Sequence, residues 1–569
     1  MTAKESYKLW LYSPALSEDE REELLAIAND PKEIEERFFA PLEFGTAGLR
    51  GVMQTGLYRM NRHIVRRTTQ ALAELVVAEG IADKGVAVCY DTRNNSEFFA
   101  LEAALVLAAN GVAVRLFSAP RPTPELSFAI RRYGCAAGIN ITASHNPKQY
   151  NGYKVYWSDG AQLPPRHADI VARERDRVSV FEGVKHISRE EAGNLITMMG
   201  EETDAAYLDE VFTQSLAGEE TRRAARGMKL VYTPFHGCGR ELVPRILRRA
   251  GFENVLPVAE QMTPDGNFPT VASPNPENKE GFALAVALAE KEGADLIIGT
   301  DPDADRVGIV IRANGGYVTL SGNQTGVLLL DYILKARREN GTMPVKPAFI
   351  KTIVTTPMAA AVAEKAGVPS FDTFTGFKFL AEKIGELEKE GVQFLLAYEE
   401  SYGYLAGDQA RDKDAVVATM LIAEMAAYYK TKGMTLHDAM EALYADHGRY
   451  AEETVSVVMP GVDGIENMKA LMKRLREEPY GEIAGVKTVA LRDYLPGIRR
   501  SFADGSTEAI RPSGSDVLCY ELSDGTLYLV RPSGTEPKLK VYIMVRGANE
   551  AQCAAKIAAN KEFTEREMG

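Results

Sequence analysis

Asp301, Asp303 and Asp305 alternate over five residues in GTDPDADR (299–306), directly after the apolar run ADLIIG. Three carboxylates so close repel one another unless a cation sits between them. Oxygen ligands without His or Cys suit Mg²⁺ or Mn²⁺. An EF-hand loop needs a glycine and a distant bidentate glutamate; here Arg306 follows at once and the chain re-enters a strand, VGIVIR. The choice lies between a hard-cation site and a solvated acidic turn, and the cost of three unpaired acids at a strand end favours the cation. Such a cation commonly works on phosphate.

Phosphate needs a cradle. RPSGTEPKLK (531–540) offers an arginine, two hydroxyls, a glycine and two lysines. Read alone it is a phosphate clamp between two strands or a plain hairpin turn. No GxxxxGK[ST] loop occurs, and GCGREL (237–242) is only a fragment of a dinucleotide fingerprint. GINITASHNP puts Ser144, with His145, where a buried strand runs out, and Lys154 follows in GYKVYW. A serine hydroxyl is a poor nucleophile unless something activates it. Glu399 and Ser401 in AYEESYGYL could grip a sugar diol or form a charged loop. Arg50 stands between glycines in FGTAGLRG, a site for close approach to an anion or a flexible turn.

These loops follow short apolar runs. VAVCYDTR is followed by SEFFALEAALVLAANG and VAVRLFSAP; KLVYTPFHG by RELVPRILRRAGF and ENVLPV; AFIKTIVTT by PMAAAVAEKAG. Strands alternating with helical patterns predict α/β layers with mixed sheets, in three related blocks. Ligands then meet the loops at strand C-terminal ends. From about Arg449 the pattern changes to short alternating strands and a helical tail, a separate α+β domain. The opening SEDEREELLAIANDPKEIEERF reads as helical and charged, packed on the outside of the first domain. RPSG also occurs at 511–514, where SDVLCYEL follows and the reading is a surface turn.

Length sets a prior of roughly three to five domains. Hydrophobic content of 45% and charged content of 25% are ordinary for a globular chain. No apolar run is long enough to span a membrane and the N-terminus lacks a secretion signal. Five scattered cysteines suit a reducing, cytoplasmic setting. The net charge of −13 argues against nucleic-acid or anionic-membrane partners, so an anionic substrate must be met by local basic loops.

Four motifs in one order, TASHNP (142–147), GTDPDADR, YEESYG (398–403) and RPSGTEPK (531–538), make the chain resemble the α-D-phosphohexomutase superfamily of phosphoglucomutases and phosphomannomutases. The resemblance covers essentially the whole chain. FGTAGLRG, PDGNFP (264–269), PNPE (274–277), TGFKF (375–379) and RDKDA (411–415) are similar to its longer phosphoglucomutase branch, some members of which use pentose phosphates.

The resemblance implies four domains around a central cleft: 1–205, 206–320 and 321–448, all α/β, and a C-terminal α+β domain, 449–569. It implies an intramolecular phosphotransferase of the isomerase class that interconverts glucose 1-phosphate and glucose 6-phosphate. Ser144 is then the phosphoserine, and one Mg²⁺ is held by Asp301, Asp303, Asp305 and that phosphate, with Arg306 adjacent. Arg50, His145 and Lys154 surround the phosphoryl group. Thr375, Gly376 and Lys378 select the sugar, Glu399 and Ser401 hold its hydroxyls, and Arg531, Ser533, Gly534 and Thr535 hold the other phosphate. Glucose 1,6-bisphosphate is the intermediate and activator; the expected assembly is a monomer or weak dimer in the cytoplasm. YGY (402–404) stands where some relatives carry a histidine, which leaves Lys154 as first candidate for the general base, and Ala415 stands where many have glycine. Phosphopentomutase and phosphomannomutase are alternatives in the same class; a non-catalytic phosphosugar binder and a metal-dependent phosphatase are alternatives outside it.

Overall fold

Every residue of VAVCY, β2 (Val86–Tyr90), is buried, as an unbroken apolar run requires when helices cover both faces of a sheet. A computed structural model describes residues 1–45, 48–459, 464–533 and 538–568. By contacts the chain forms two compact units: Met1–Ser321 with Ser401–Lys432, and Gly322–Glu400 with Gly433–Gly569.

The first unit holds two sheets. One runs β1 (Gly48–Val52), β5 (Tyr150–Trp157), β4 (Ala137–Ile141), β2, β3 (Val114–Phe117), β6 (Ile196–Met199). Its centre is parallel and its β1–β5–β4 edge antiparallel. The other runs β11 (Gly316–Thr319), β10 (Val307–Ala313), β9 (Leu296–Thr300), β7 (Lys229–Thr233), β8 (Asn254–Pro257), again parallel at β8–β7–β9 and antiparallel beyond. The repeated strand–helix blocks of the sequence are therefore real modules with mixed sheets. Helix Ala415–Thr431, apolar on nearly every face and buried along most of its length, completes this unit from far down the chain.

In the second unit β12 (Pro347–Thr352) pairs in parallel with β13 (Ser370–Thr373) and β14 (Gln393–Glu399). The C-terminal sheet is antiparallel, in the order Arg449–Val458, Lys538–Gly547, Leu527–Pro532, Leu518–Leu522, Val486–Asp493, Ile498–Ser501, Thr507–Ala509. Helices Gly464–Glu477 and Glu550–Met568 contribute Met472, Leu475 and Phe563 to its core.

The opening segment is helical, as expected, but divided. Helices Ala3–Leu11, Glu18–Ala26 and Pro31–Phe38 are separated by their own caps, a Ser17–Glu20 capping box and Asp30 before Pro31. Their Trp10, Leu24, Ile34 and Phe38 join the core of the first sheet. The 511–514 turn leads into strand Leu518–Leu522, as read from the sequence, and a small hairpin, Ile498–Ser501 with Thr507–Ala509, lies ahead of it. Among the described residues no helix is long and apolar enough to cross a membrane.

Candidate active site

Strand β4 ends at Ile141, three residues before Ser144, and the chain returns antiparallel as β5 from Tyr150. Ser144 is buried and sits at φ 50°, in the left-handed region that an L residue enters only under constraint. Its N–H donates to Thr142 Oγ1 at 2.8 Å. Its hydroxyl donates to Asp301 Oδ2 at 2.7 Å and lies 3.2 Å from His145 Nδ1. Burial first, then the charges of Arg306 and Arg50, push the His145 pKa down to about 2, so the ring is neutral at any working pH. Arg50, exposed on β1, donates from Nη1 to Asn146 Oδ1 at 2.9 Å and so reaches the same loop. Gly48 is needed here: a Cβ would lie 1.9 Å from the Tyr153 carbonyl oxygen across the β1–β5 pair.

The loop after β9 brings Asp301, Asp303 and Asp305 together, all buried, with one carboxylate oxygen from each within 4.8 Å of the others. Asp301 Oδ1 accepts the N–H groups of Asp305 (3.1 Å) and Arg306 (3.0 Å). Burial and its acidic neighbours raise the Asp301 pKa well above the usual range. Burial works the same way on Asp303, but Lys154 outweighs it and holds that carboxyl low. Asp303 Oδ1 and Asp305 Oδ1 are buried without a hydrogen-bond partner. Two orphaned hard oxygens, in a triad of buried, mutually repelling carboxylates, fit a divalent cation of the Mg²⁺ type.

Lys154, from β5, donates to Asp303 Oδ2 at 3.0 Å and lies 3.6 Å from Asp305 Oδ2. Burial pulls its pKa down, but the two carboxylates prevail and raise it. A second lysine was not foreseen. Lys413 of RDKDA lies 3.1 Å from Asp305 Oδ2 and donates to Asp412 Oδ1 at 3.0 Å. The motif's order, a lysine between two aspartates, was the available signal. Gly403 makes room for it, since a Cβ there would lie 2.1 Å from Lys413 Cδ. Asp412 in turn accepts Tyr156 Oη–H (2.8 Å) and Gln162 Nε2 (3.0 Å). Ala415 opens the following helix, a conformation any residue adopts, and its N–H donates to the Ala304 carbonyl of the acidic loop at 3.2 Å. Arg306 bonds to Glu277 of PNPE and to the Ser401 carbonyl, both at 3.1 Å.

The remaining candidates, apart from Ser401, belong to the second unit. Glu399, at the end of β14, accepts the Gly376 N–H on Oε1 at 2.7 Å, which ties it to the Thr375–Lys378 loop. Gly376 has φ 112°, a conformation suited to glycine, and caps helix Phe377–Lys389. Lys378 extends over the Phe379 ring, 4.8 Å from its centroid. Arg531 lies one residue before the end of strand Leu527–Pro532, opposite Lys540, and donates from Nη1 to Tyr542 Oη at 3.3 Å. Ser533 N–H closes on the Lys538 carbonyl at 2.8 Å. Gly534 and Thr535 lie outside the described residues.

Comparison with known proteins bears on the same motifs. Family models for phosphoglucomutase/phosphomannomutase alpha/beta/alpha domains I, II and III match residues 41–179, 205–315 and 321–447. A phosphoglucomutase of Staphylococcus haemolyticus (strain JCSC1435) is 37% identical over 529 residues, 92% of this chain and 94% of that one. One from Staphylococcus aureus (strain USA300) is 36% identical over 531 residues, 93% and 94% of the two chains. The open form of the Paramecium exocytosis-sensitive phosphoprotein parafusin, a phosphoglucomutase, shares the fold with a TM-score of 0.67 at 19% identity, over 93% of this chain and 95% of that one. Three matched modules in sequence, and relatives aligned over nearly the full length, make the chain a member of the phosphoglucomutase/phosphomannomutase family.

Proposed function

We infer that this chain is a phosphoglucomutase, an isomerase that interconverts glucose 1-phosphate and glucose 6-phosphate. One observation carries the reading: the Ser144 hydroxyl is held 2.7 Å from Asp301 Oδ2 beside the two orphaned aspartate oxygens, in a chain 37% identical to a phosphoglucomutase. In this reading Ser144 carries a phosphoryl group. The Ser144 Oγ–P bond breaks as a P–O bond forms to the substrate's free hydroxyl, whose proton leaves to a nearby base. The product, glucose 1,6-bisphosphate, turns over and returns its other phosphoryl group to Ser144 by the reverse step; added bisphosphate therefore acts as activator. Such transfer depends on in-line placement and on neutralising charge. Asp301, Asp303, Asp305 and the serine phosphate would hold one Mg²⁺, which supplies charge neutralisation when bound.

The chain's own groups do the rest. Neutral His145, 3.2 Å from Ser144 Oγ, gives that oxygen a hydrogen-bond partner without adding charge. Lys154 stays charged beside Asp303 and serves better as a proton donor and charge partner than as the resting base. Arg50 and Arg306 add positive charge. Glu399, Ser401, Thr375, Gly376 and Lys378 would hold and select the sugar; the Glu399–Gly376 bond supports grouping them. Arg531, Ser533, Gly534 and Thr535 would hold the distal phosphate. The division at 205/206, 320/321 and 448/449 belongs to this reading and is supported by the limits of the family matches. So do a cytoplasmic location, in keeping with five free, buried cysteines, and a monomer or weak dimer.

The test is purified protein with Mg²⁺, a trace of glucose 1,6-bisphosphate and a panel of glucose, mannose and pentose 1-phosphates. Fastest isomerisation of glucose 1-phosphate is expected. A faster pentose or mannose reaction would reassign the substrate, and release of inorganic phosphate ahead of isomerisation would make the protein a phosphatase.

A further inference from the structure

Beneath the serine loop lies an arginine that the chemistry above does not call upon. Arg93 follows β2 in YDTR, and its side chain is fully buried. Nη2 donates to the carbonyl oxygens of Ser144 and Asn146; Nη1 donates to those of Pro147 (3.0 Å) and Tyr150 (3.2 Å). Nε lies 3.3 Å from Asp91 Oδ2. Asp91 accepts from Ser96 Oγ and from Thr142 Oγ1, both at 2.7 Å, and Thr142 Oγ1 accepts the Ser144 N–H at 2.8 Å. Both backbone groups of Ser144 therefore end on one buried ion pair: the N–H through Thr142 and Asp91, the carbonyl through Arg93. A second module covers the pair. The Phe268 ring of PDGNFP lies 5.1 Å from the Arg93 guanidinium carbon. Asn267 accepts from Asn94 at 3.2 Å, and Gly266 is so close that a Cβ would lie 2.2 Å from the Asn94 nitrogen.

We propose that Arg93 is a positioning residue for phosphoryl transfer, gathering four carbonyls so that Ser144 keeps its left-handed conformation and its aim at Asp301, with the PDGNFP loop as its seal. A planar fork of five donors can serve four acceptors at once; a lysine, a point charge with three donors, cannot. Ser144 gives and receives a phosphoryl group in every cycle, so an error in its placement acts twice. The effect on turnover rests on the mutase reading; the clamp itself does not.

The experiment compares Arg93→Lys and Phe268→Leu with the wild-type full chain. It measures kcat and KM for glucose 1-phosphate, hydrogen exchange of the amides from 143 to 151, and melting temperature. For Arg93→Lys the expected result is a fall in kcat of roughly 10- to 100-fold, the scale of a lost charge-assisted contact. KM should stay within about threefold, because the substrate's own contacts are untouched. Exchange should quicken in 143–151 and not across the rest of the first sheet. Phe268→Leu should move both readouts in the same direction by less. Unchanged exchange in 143–151, or a general quickening with a matching drop in melting temperature, overturns the proposal. If Arg93→Lys does not fold, Phe268→Leu decides by the same two readouts. If the wild type proves not to be a mutase, the exchange pattern alone decides the clamp.

Discussion

RPSG occurs twice, and replacing each arginine by alanine tests whether Arg531 contacts the ligand while Arg511 belongs to a plain turn. Arg531 lies next to the end of a central strand of the C-terminal sheet, is half-buried, and among the described residues makes one long bond, 3.3 Å to the Tyr542 hydroxyl, to its own fold. Losing that bond should cost the fold about 0.5–1.5 kcal/mol, while losing a charge-assisted bond to a sugar phosphate should cost about 1.5–3 kcal/mol in kcat/KM. The second figure is roughly 10- to 150-fold in rate. Arg511 is exposed after the small hairpin and has no ion-pair or hydrogen-bond partner among the described residues; Asp516, five residues on, is taken by Arg476 at 2.6 Å. Arg511→Ala should change kcat/KM less than twofold. The assay is isomerisation coupled to glucose 6-phosphate oxidation, with KM resolved, beside a thermal melt of each variant. Arg531→Ala should raise KM with little loss of melting temperature, and Arg531→Lys should recover part of the deficit. A larger kinetic loss at Arg511 would refute the assignment, as would an Arg531→Ala loss explained by unfolding.

Freshly isolated protein should carry about one phosphate's mass on Ser144 in a fraction of molecules, and Ser144→Ala should lose both that mass and turnover; near-normal activity would end the phosphoserine reading. Asp301→Asn should cut kcat far more than it harms folding, and EDTA should abolish wild-type turnover. Because the folded Asp301 pKa is raised, metal-free protein should lose stability as pH climbs from the ordinary carboxylate range through that higher value, and melts of Asp301→Asn should lack this slope. Glu400 is held by Thr352 (3.2 Å) and Thr355 (3.3 Å), and burial, then the charge of Glu399, push its pKa up to about 7. Its contribution should be complete below about pH 4.5 and lost as pH rises through about 7, so Glu400→Gln should flatten the melting profile in that window. Gly403→Ala should drive Lys413 off Asp305 and lower kcat while Gly433→Ala, with open space around it, leaves kcat unchanged.

The parts legible in the sequence were those whose chemistry is local. TASHNP and GTDPDADR end short apolar strands, so residue type and strand order together were enough to bring Ser144 and the three aspartates to one place. Arg93 and Lys413 were illegible for the opposite reason. Each sits in a motif that reads as a strand end or a charged loop, and its partners come from 51 to 57 residues away in one case and from the second sheet in the other. The opening helices were legible as helical and charged because most of their surface is exposed; what the sequence did not show is that the few apolar residues, Trp10, Leu24 and Phe38, join the core, each fully buried one worth about 1.5–3 kcal/mol. The small hairpin ahead of Arg511 was missed because its two strands are too short and too polar to show a period.

The first unit borrows Ser401–Lys432 from beyond a long stretch that belongs to the second. That segment brings Lys413 to Asp305, Asp414 to the Tyr207 hydroxyl at 2.8 Å, and Glu424 to Ser215 at 2.5 Å. On the ribosome, the nascent first unit therefore waits. Its two sheets emerge early, but the helix that closes over the second and the lysine that balances the acidic loop arrive only after about 110 further residues, roughly 5–20 s at ordinary elongation rates. During that interval the chain exposes the apolar surface that helix Ala415–Thr431 will cover, a target for a holding chaperone, and a fragment ending at residue 320 should share the fate of the stalled chain.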